Sequence, residues 1–252
     1  MIAVRVLTLA ACGALALAGE PNMYFFNFLW NTPGWQPRSG DYAFVKIRPA
    51  LKTLDQKATY VVSELKGIQP QYRKIMSNEL AGLDDLLHEL IDVRHFPIAA
   101  LDYDLENWDL TPGHEKADPV GAAKRGQALA NKYHLAYVVV PDMPVGSKWA
   151  VQMAPFVAGI APQAKGLQAE SIDKAIARQR ALYLEIRKAN PRIRIYHDLG
   201  AAPKGVKQTL DGLLKYYHGV ADLVDGIEIW SQDTPEQNAL IRGYILAVRP
   251  PK

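Results

Sequence analysis

Ile98-Ala99-Ala100-Leu101-Asp102-Tyr103-Asp104-Leu105-Glu106-Asn107-Trp108 decides how the rest of the chain is read. Its first four residues are apolar, as in a strand buried on both faces. Carboxylates then fall at alternate positions: Asp102, Asp104 and Glu106. A strand has a side-chain period of two, so these three share one face while Tyr103 and Leu105 turn to the other. Three carboxylates on one face repel one another unless a cation, a proton or hydrogen-bond donors intervene. A plain solvated strand end more often mixes in Lys, Thr or Ser. The sharper expectation is a catalytic strand end in an α/β barrel, where active sites sit at the carboxyl ends of the strands.

Outward from this stretch, strands and helices alternate. Met23 to Trp30 is rich in aromatics and reads as a first strand, Tyr42 to Ile47 as a second and Thr59 to Leu65 as a third. Gln71 to Val93 carries Ile75, Leu80, Leu83, Leu86, Leu87, Leu90 and Ile91 at helical spacing. After the Ile98 strand, Asp118-Pro119 opens a helix with a capping residue and a Pro in the first turn, running to about His134. Strands follow at Leu135 to Val140, Phe156 to Ile160, Arg192 to His197 and Gly226 to Trp230. Helices are expected around Trp149 to Met153 and at Ser171 to Ala189, Lys207 to His218 and Pro235 to Val248. Eight candidate strands predict an α/β fold, a single-domain (β/α)8 barrel of the TIM type. A doubly wound open sheet would need a Gly-rich phosphate turn after an early strand, and none is present.

The polar residues at the strand ends are then the candidates for chemistry. They are Asn27, Glu64, Asp102, Asp104, Glu106, Asp142, Gln163, His197, Asp198, Glu228 and Trp230. Glu228 and Trp230 share a face by alternation. Trp108 and Trp230 suit a sugar platform, because pyranose faces are apolar while their rims hydrogen-bond. The sequence lacks G-x-S-x-G and H-E-x-x-H, so no serine-hydrolase elbow, metal site or cofactor is called for.

Composition agrees with a globular chain, at 49% hydrophobic and 22% charged over 252 residues. Met1 to Ala18 reads as a short secretory signal, with Arg5, an apolar run and the small residues Ala16-Leu17-Ala18. The mature domain would span 19–252 and be secreted or periplasmic, with no membrane span. Cys12, the only cysteine, falls in the leader, so the mature chain forms no disulfide. Leu9-Ala10-Ala11-Cys12 also resembles a lipobox, which leaves a lipid anchor at Cys12 open. Of the 29 basic residues Arg5 lies in the leader, leaving 28 against 26 acidic ones with no basic cluster. Nothing in this balance points to nucleic acid.

Asp102-Tyr103-Asp104-Leu105-Glu106 resembles the end of the D-x-x-D-x-D-x-E signature of family 18 glycoside hydrolases, the chitinase-like barrels, and lies on the fourth strand as it does there. Asp225 to Asp233 resembles that family's last strand, whose Trp floors the sugar site; Met23 to Trp30 with Tyr42-Ala43-Phe44 is similar to its first two. The first Asp of the signature falls on Ala99. Gln163 is nearest to the Tyr expected near the end of the sixth strand, and Glu228 stands where the family has an apolar residue. The resemblance implies a carbohydrate substrate and assigns Glu106 as general acid. It implies Asp104 as the group orienting a substrate acetamido that attacks as internal nucleophile, with Asp102 sharing a proton or hydrogen bond with Asp104. Trp108, Asp142, His197, Glu228 and Trp230 would bind substrate.

Three other readings stay open at this point. One keeps the barrel but uses Glu228 as a protein nucleophile opposite Glu106. Another is a non-catalytic glycan-binding barrel with a degenerate site. The last is a metal-dependent phosphodiesterase-type hydrolase, with Asp102, Asp104, Glu106 and His197 as ligands.

Overall fold

The computed structural model describes residues 21–106, 109–142 and 145–250. Eight parallel strands, each bonded to the next and the last to the first, close a barrel. They are β1 (Asn22–Phe26), β2 (Tyr42–Lys46), β3 (Arg73–Ser77), β4 (Ala100–Tyr103), β5 (Ala136–Val139), β6 (Gly159–Ile160), β7 (Arg194–Gly200) and β8 (Gly226–Trp230). The outer layer consists of α1 (Leu54–Leu65), α2 (Leu83–His88), α3 (Gly113–Ala117), α4 (Pro119–Lys132), α5 (Val145–Met153), α6 (Lys165–Glu170), α7 (Ile172–Ala189), α8 (Leu210–His218) and α9 (Pro235–Val248). Parallel neighbours need long crossovers, which helices supply, so this is the expected (β/α)8 barrel in one domain. Among the described residues no helix is long and apolar enough to cross a membrane. The expected leader Met1–Ala18, with Cys12, and the candidate platform residue Trp108 lie outside the described residues.

Strand alternation divides the core in two. Tyr24, Phe44, Met76, Val138, Val140, Ala161 and Tyr196 fill the barrel itself. Phe25, Val45, Ile75, Leu101, Tyr103, Val139, Ile195 and Ile227 belong to the larger cluster shared with the helices. Two glycines make room inside for one large ring: a Cβ on Gly159 would lie 3.1 Å from Tyr196, and one on Gly226 only 2.6 Å from it. Tyr196 in turn stacks on Tyr24, with ring centres 4.3 Å apart.

The third strand is not where the sequence put it. Thr59 to Leu65 is the second half of α1, which opens on a capping box between Thr53 and Gln56 and buries Ala58, Val61 and Leu65. That spacing is helical; the β-branched run Val61-Val62 suggested a strand. The actual β3, Arg73-Lys74-Ile75-Met76-Ser77, is buried along its whole length inside the stretch expected to be helical. The helix there is confined to α2, which runs on into a π-helical turn at Glu89–Val93. Two charged residues disguised the strand. Arg73 turns outward, bonds the carbonyl of Ile68 (2.8 Å) and stacks over Phe96 (3.8 Å). Lys74 turns inward to Asp102. Glu64 is therefore no strand-end residue but lies on α1, where it accepts a hydrogen bond from Asn27 (3.0 Å).

Smaller corrections concern length. The first strand stops at Phe26 and gives way to a 3₁₀ turn over Asn27–Leu29. The sixth is only two residues long, and the seventh extends to Gly200. The Ile98 strand is β4, central among parallel neighbours β3 and β5.

Candidate active site

The period-two reading of β4 holds in three dimensions. Tyr103 and Leu105 join the helix-facing core, where the Tyr103 hydroxyl donates to Glu115 (2.7 Å). Asp102 and Asp104 are fully buried, and Glu106 stands half-buried at the carboxyl end of the barrel. The three carboxylates are met by donors from the surrounding strands. Lys74 on β3 forms a buried ion pair with Asp102, its ammonium 3.7 Å from the centre of the Tyr24 ring. Lys46 at the end of β2 donates to Asp104 Oδ2 at 2.5 Å. Asn78 just past β3 donates to the same oxygen (3.1 Å) and to the Asp104 carbonyl (2.9 Å).

Gln163, just past β6, ties the pieces together. Its Nε2 donates to Asp104 Oδ1 (2.8 Å) and to Glu106 Oε1 (3.3 Å), while its Oε1 accepts from Lys165 (2.7 Å). The Lys165 ammonium also lies 3.9 Å from Asp198 on β7 and 3.8 Å from the centre of the Trp230 ring. Trp230, at the end of β8, meets Phe26 edge-on (5.3 Å) and Phe44 at a tilt (5.8 Å), with Lys46 5.2 Å from its ring centre. Asp142 follows β5 and reaches the same end of the barrel, its N–H donating to the Leu105 carbonyl (3.2 Å).

Burial and crowding set the proton affinities. Burial first, then the negative charge of Asp104, pushes Glu106 up to about 7; Lys46, Lys165 and the Gln163 bond pull the other way. Burial raises Asp102 to about 6 against the pull of Lys74, and Asp198 to about 6 against that of Lys165. Glu228 is wholly buried, its two oxygens have no hydrogen-bond partner among the described residues, and burial followed by the charge of Asp102 holds it well above the usual carboxylate range.

Of the residues singled out from the sequence, Asp102, Asp104, Glu106, Asp142, Glu228 and Trp230 gather in the barrel or at its carboxyl end, with Glu228 below the mouth in register with Tyr24. His197 does not join them. It occupies the outward register of β7, bonds the Tyr183 hydroxyl (3.1 Å) and meets Tyr216 edge-on (4.2 Å). Burial lowers it to about 3, so it is a neutral packing residue rather than a substrate ligand. The metal-ligand set that relied on His197 loses its nitrogen donor. Sequence reasoning also missed Lys46, Lys74, Asn78 and Lys165. Lys46 was within reach, because it follows Tyr42 and Phe44 on the inward register of β2; Lys74 was hidden by the misplaced third strand.

The molecule is thus a TIM barrel with a carboxylate cluster at the carboxyl end of its strands. A solved structure similar to it is the catalytic domain of a family GH18 chitinase from the fern Peteris ryukyuensis, with a TM-score of 0.59 and 13% identity over 90% of this chain and 98% of that one. The carboxyl transferase domain of Rhizobium etli pyruvate carboxylase, bound to pyruvate and biocytin, is similar at a TM-score of 0.50 and 9% identity, over 91% of this chain and 47% of that one. A protein from Aquifex aeolicus VF5 matches at 0.50 and 8%, over 90% and 92%. Identities this low show a shared barrel, of the kind that carries glycoside hydrolase sites among others. No protein-family model matches the chain, and no curated protein matches it.

Proposed function

We propose that the chain is a secreted glycoside hydrolase that acts on an oligosaccharide or polysaccharide, with Glu106 as its general acid. The observation that carries this reading is Glu106 itself. It is a carboxyl group raised to about 7, half-exposed at the barrel mouth, beside a buried aspartate held by three donors and near an aromatic ring. A general acid works best when its proton affinity lies near the working pH. The barrel shared with a chitinase catalytic domain supports a glycan as the substrate class, and the leader-like Met1–Ala18 supports export.

On an N-acetylated glycan, Glu106 gives its proton to the glycosidic oxygen as the bond from that oxygen to C1 breaks. The acetamido carbonyl oxygen closes on C1 from the other side, and Asp104 accepts the acetamido N–H and balances the positive charge of the cyclic intermediate. Water then attacks C1 and gives its proton back to Glu106. Glu228 is a poor protein nucleophile for the competing scheme, since it lies below the mouth in register with Tyr24 and its burial favours the neutral acid. Trp230 floors the sugar. The Lys165 ammonium, now 3.8 Å above its ring, moves toward Asp198 when a sugar stacks there.

The test is product analysis of purified mature protein incubated with N-acetylglucosamine oligomers and with glucose oligomers. Cleavage of the acetylated series is expected, and Asp104→Asn is expected to lose activity on that series. An equal loss on plain glucosides would return the nucleophile to the protein. Binding without any cleavage would favour the degenerate, non-catalytic barrel.

A further inference from the structure

The barrel and its mouth hold Asp102, Asp104, Glu106, Asp142, Asp198 and Glu228, and three lysines answer three of the four aspartates. Lys74 pairs with Asp102, Lys46 with Asp104 and Lys165 approaches Asp198. Among the described residues neither glutamate has such a partner: Glu106 Oε2 and both oxygens of Glu228 make no hydrogen bond.

The partners of Asp104 fix its charge. A carboxylate offers about four acceptor sites. Gln163 Nε2 takes one on Oδ1; Asn78 Nδ2 and Lys46 Nζ take two on Oδ2. All three are donors, and the amide orientations are set independently. Gln163 Oε1 accepts from Lys165, and Asn78 Nδ2 also donates to the Asp104 carbonyl. A proton on Asp104 would take the one acceptor site these donors leave, which is the site an acetamido N–H needs, and would give up the ion pair with Lys46. Asp102, two residues earlier on the same face, has an ammonium against its Oδ2.

We propose that Lys46 and Lys74 replace the proton that two adjacent aspartates would otherwise share, holding Asp104 and Asp102 as carboxylates at the same time and leaving Glu106 as the proton-bearing group at the mouth. Both lysines are positioning residues that act through the aspartates. The catalytic consequence rests on the hydrolase reading; the charge state does not. Asp104 then needs no deprotonation before it can receive an acetamido N–H, so activity persists into mildly acidic solution and declines only as Glu106 ionises. The charged and titratable groups that bear on Asp104 are Lys46 from β2, Asp102 and Glu106 from its own strand, Lys165 at the start of α6, Asp198 from β7 and Glu228 from β8.

Carbon-13 NMR of protein labelled at the Asp carboxyl carbons tests the charge state without any substrate. Signals are assigned with Asp102→Asn and Asp104→Asn, and titrated from pH 4 to 9. Both aspartates are expected in their ionised positions at pH 7.5 in the wild type. In Lys46→Met the Asp104 signal is expected to take its protonated position in acidic solution where the wild type does not, and the acid side of the pH–rate profile on an N-acetylated oligosaccharide to fall more steeply. Lys74→Met should do the same to Asp102; should that variant not fold, the wild-type titration and Lys46→Met still decide. One aspartate still protonated at pH 7.5 in the wild type, or an Asp104 signal that Lys46→Met leaves unchanged across the pH range, overturns the proposal. If the titrations come out as expected and no glycan is cleaved, the hydrolase reading fails and the lysine assignment stands.

Discussion

Glu228 is the residue whose chemistry is least expected from its place. A carboxyl group with no hydrogen-bond partner, sealed inside a barrel, is tolerated only as the neutral acid. Between its unfolded proton affinity and its much higher folded one, the native state holds a proton that the unfolded chain has released, so stability falls as pH rises. Asp102 and Asp198 act in the same direction up to about 6 and Glu106 up to about 7. His197, lowered to about 3, opposes them only below its unfolded value of about 6.5. Glu228, raised by burial, adds to the same fall with pH. Thermal melts from pH 7 to 9 should show the wild type losing melting temperature, and Glu228→Gln losing less and ending as the more stable protein at pH 9. Parallel curves would mean that Glu228 is already ionised at pH 7. At this scale the sequence was informative where side chains alternate on a strand. Period two alone brought Asp102, Asp104 and Glu106 together and turned Tyr103 away. It failed for His197, which it named as a strand-end residue without asking which register it occupied.

The elements were legible where local chemistry and burial agree. Asp118 caps α4 as expected, its carboxylate accepting from the Gly121 N–H (2.9 Å) with Pro119 in the first turn. Asp118→Ala should cost about 1 kcal/mol in urea denaturation, within the usual range for a lost cap; no measurable change would show that Pro119 and packing alone set the start of α4. Ser171 caps α7 in the same way, accepting from the Lys174 N–H, at the start of the helix expected there. Legibility ended at α1 and β3, where the two signals conflict. Tyr60-Val61-Val62 carries strand-forming residues but is helical because Ala58, Val61 and Leu65 fall on one buried stripe. Arg73-Lys74 carries two full charges but is strand because each finds its partner in the fold. Lys74's partner lies 28 positions away at Asp102, and no local window contains it. The two errors compensate in the strand count, which is why the barrel emerged correctly from a misassigned third unit.

Across the whole molecule the barrel is held shut at the end opposite the site. Arg249, after α9, reaches back across the chain to Asp41 with two bonds of 2.7 and 2.9 Å, and Asp41 also accepts from the Met23 N–H (2.8 Å) at the start of β1. This buried cluster ties both ends of the described fold to the loop before β2. Arg249→Met leaves the Asp41 carboxylate buried without its cation, which typically costs about 3–5 kcal/mol. That is a large share of the roughly 5–15 kcal/mol of a whole domain, and denaturant unfolding should show it; a loss below about 1 kcal/mol would mean that water or the remaining N–H donors suffice for Asp41. A frame closed in this way leaves the opposite rim open, and there the proposed chemistry rests on Glu106. The direct measurement is turnover of the cleaved oligosaccharide by Glu106→Gln beside the wild type, with sugar affinity measured in parallel. The acidic proton should account for roughly 10²–10⁴-fold in rate, or about 2.7–5.4 kcal/mol of transition-state stabilisation. The variant should therefore lose that much turnover while binding the sugar as tightly as before. Wild-type turnover by Glu106→Gln would contradict the assignment.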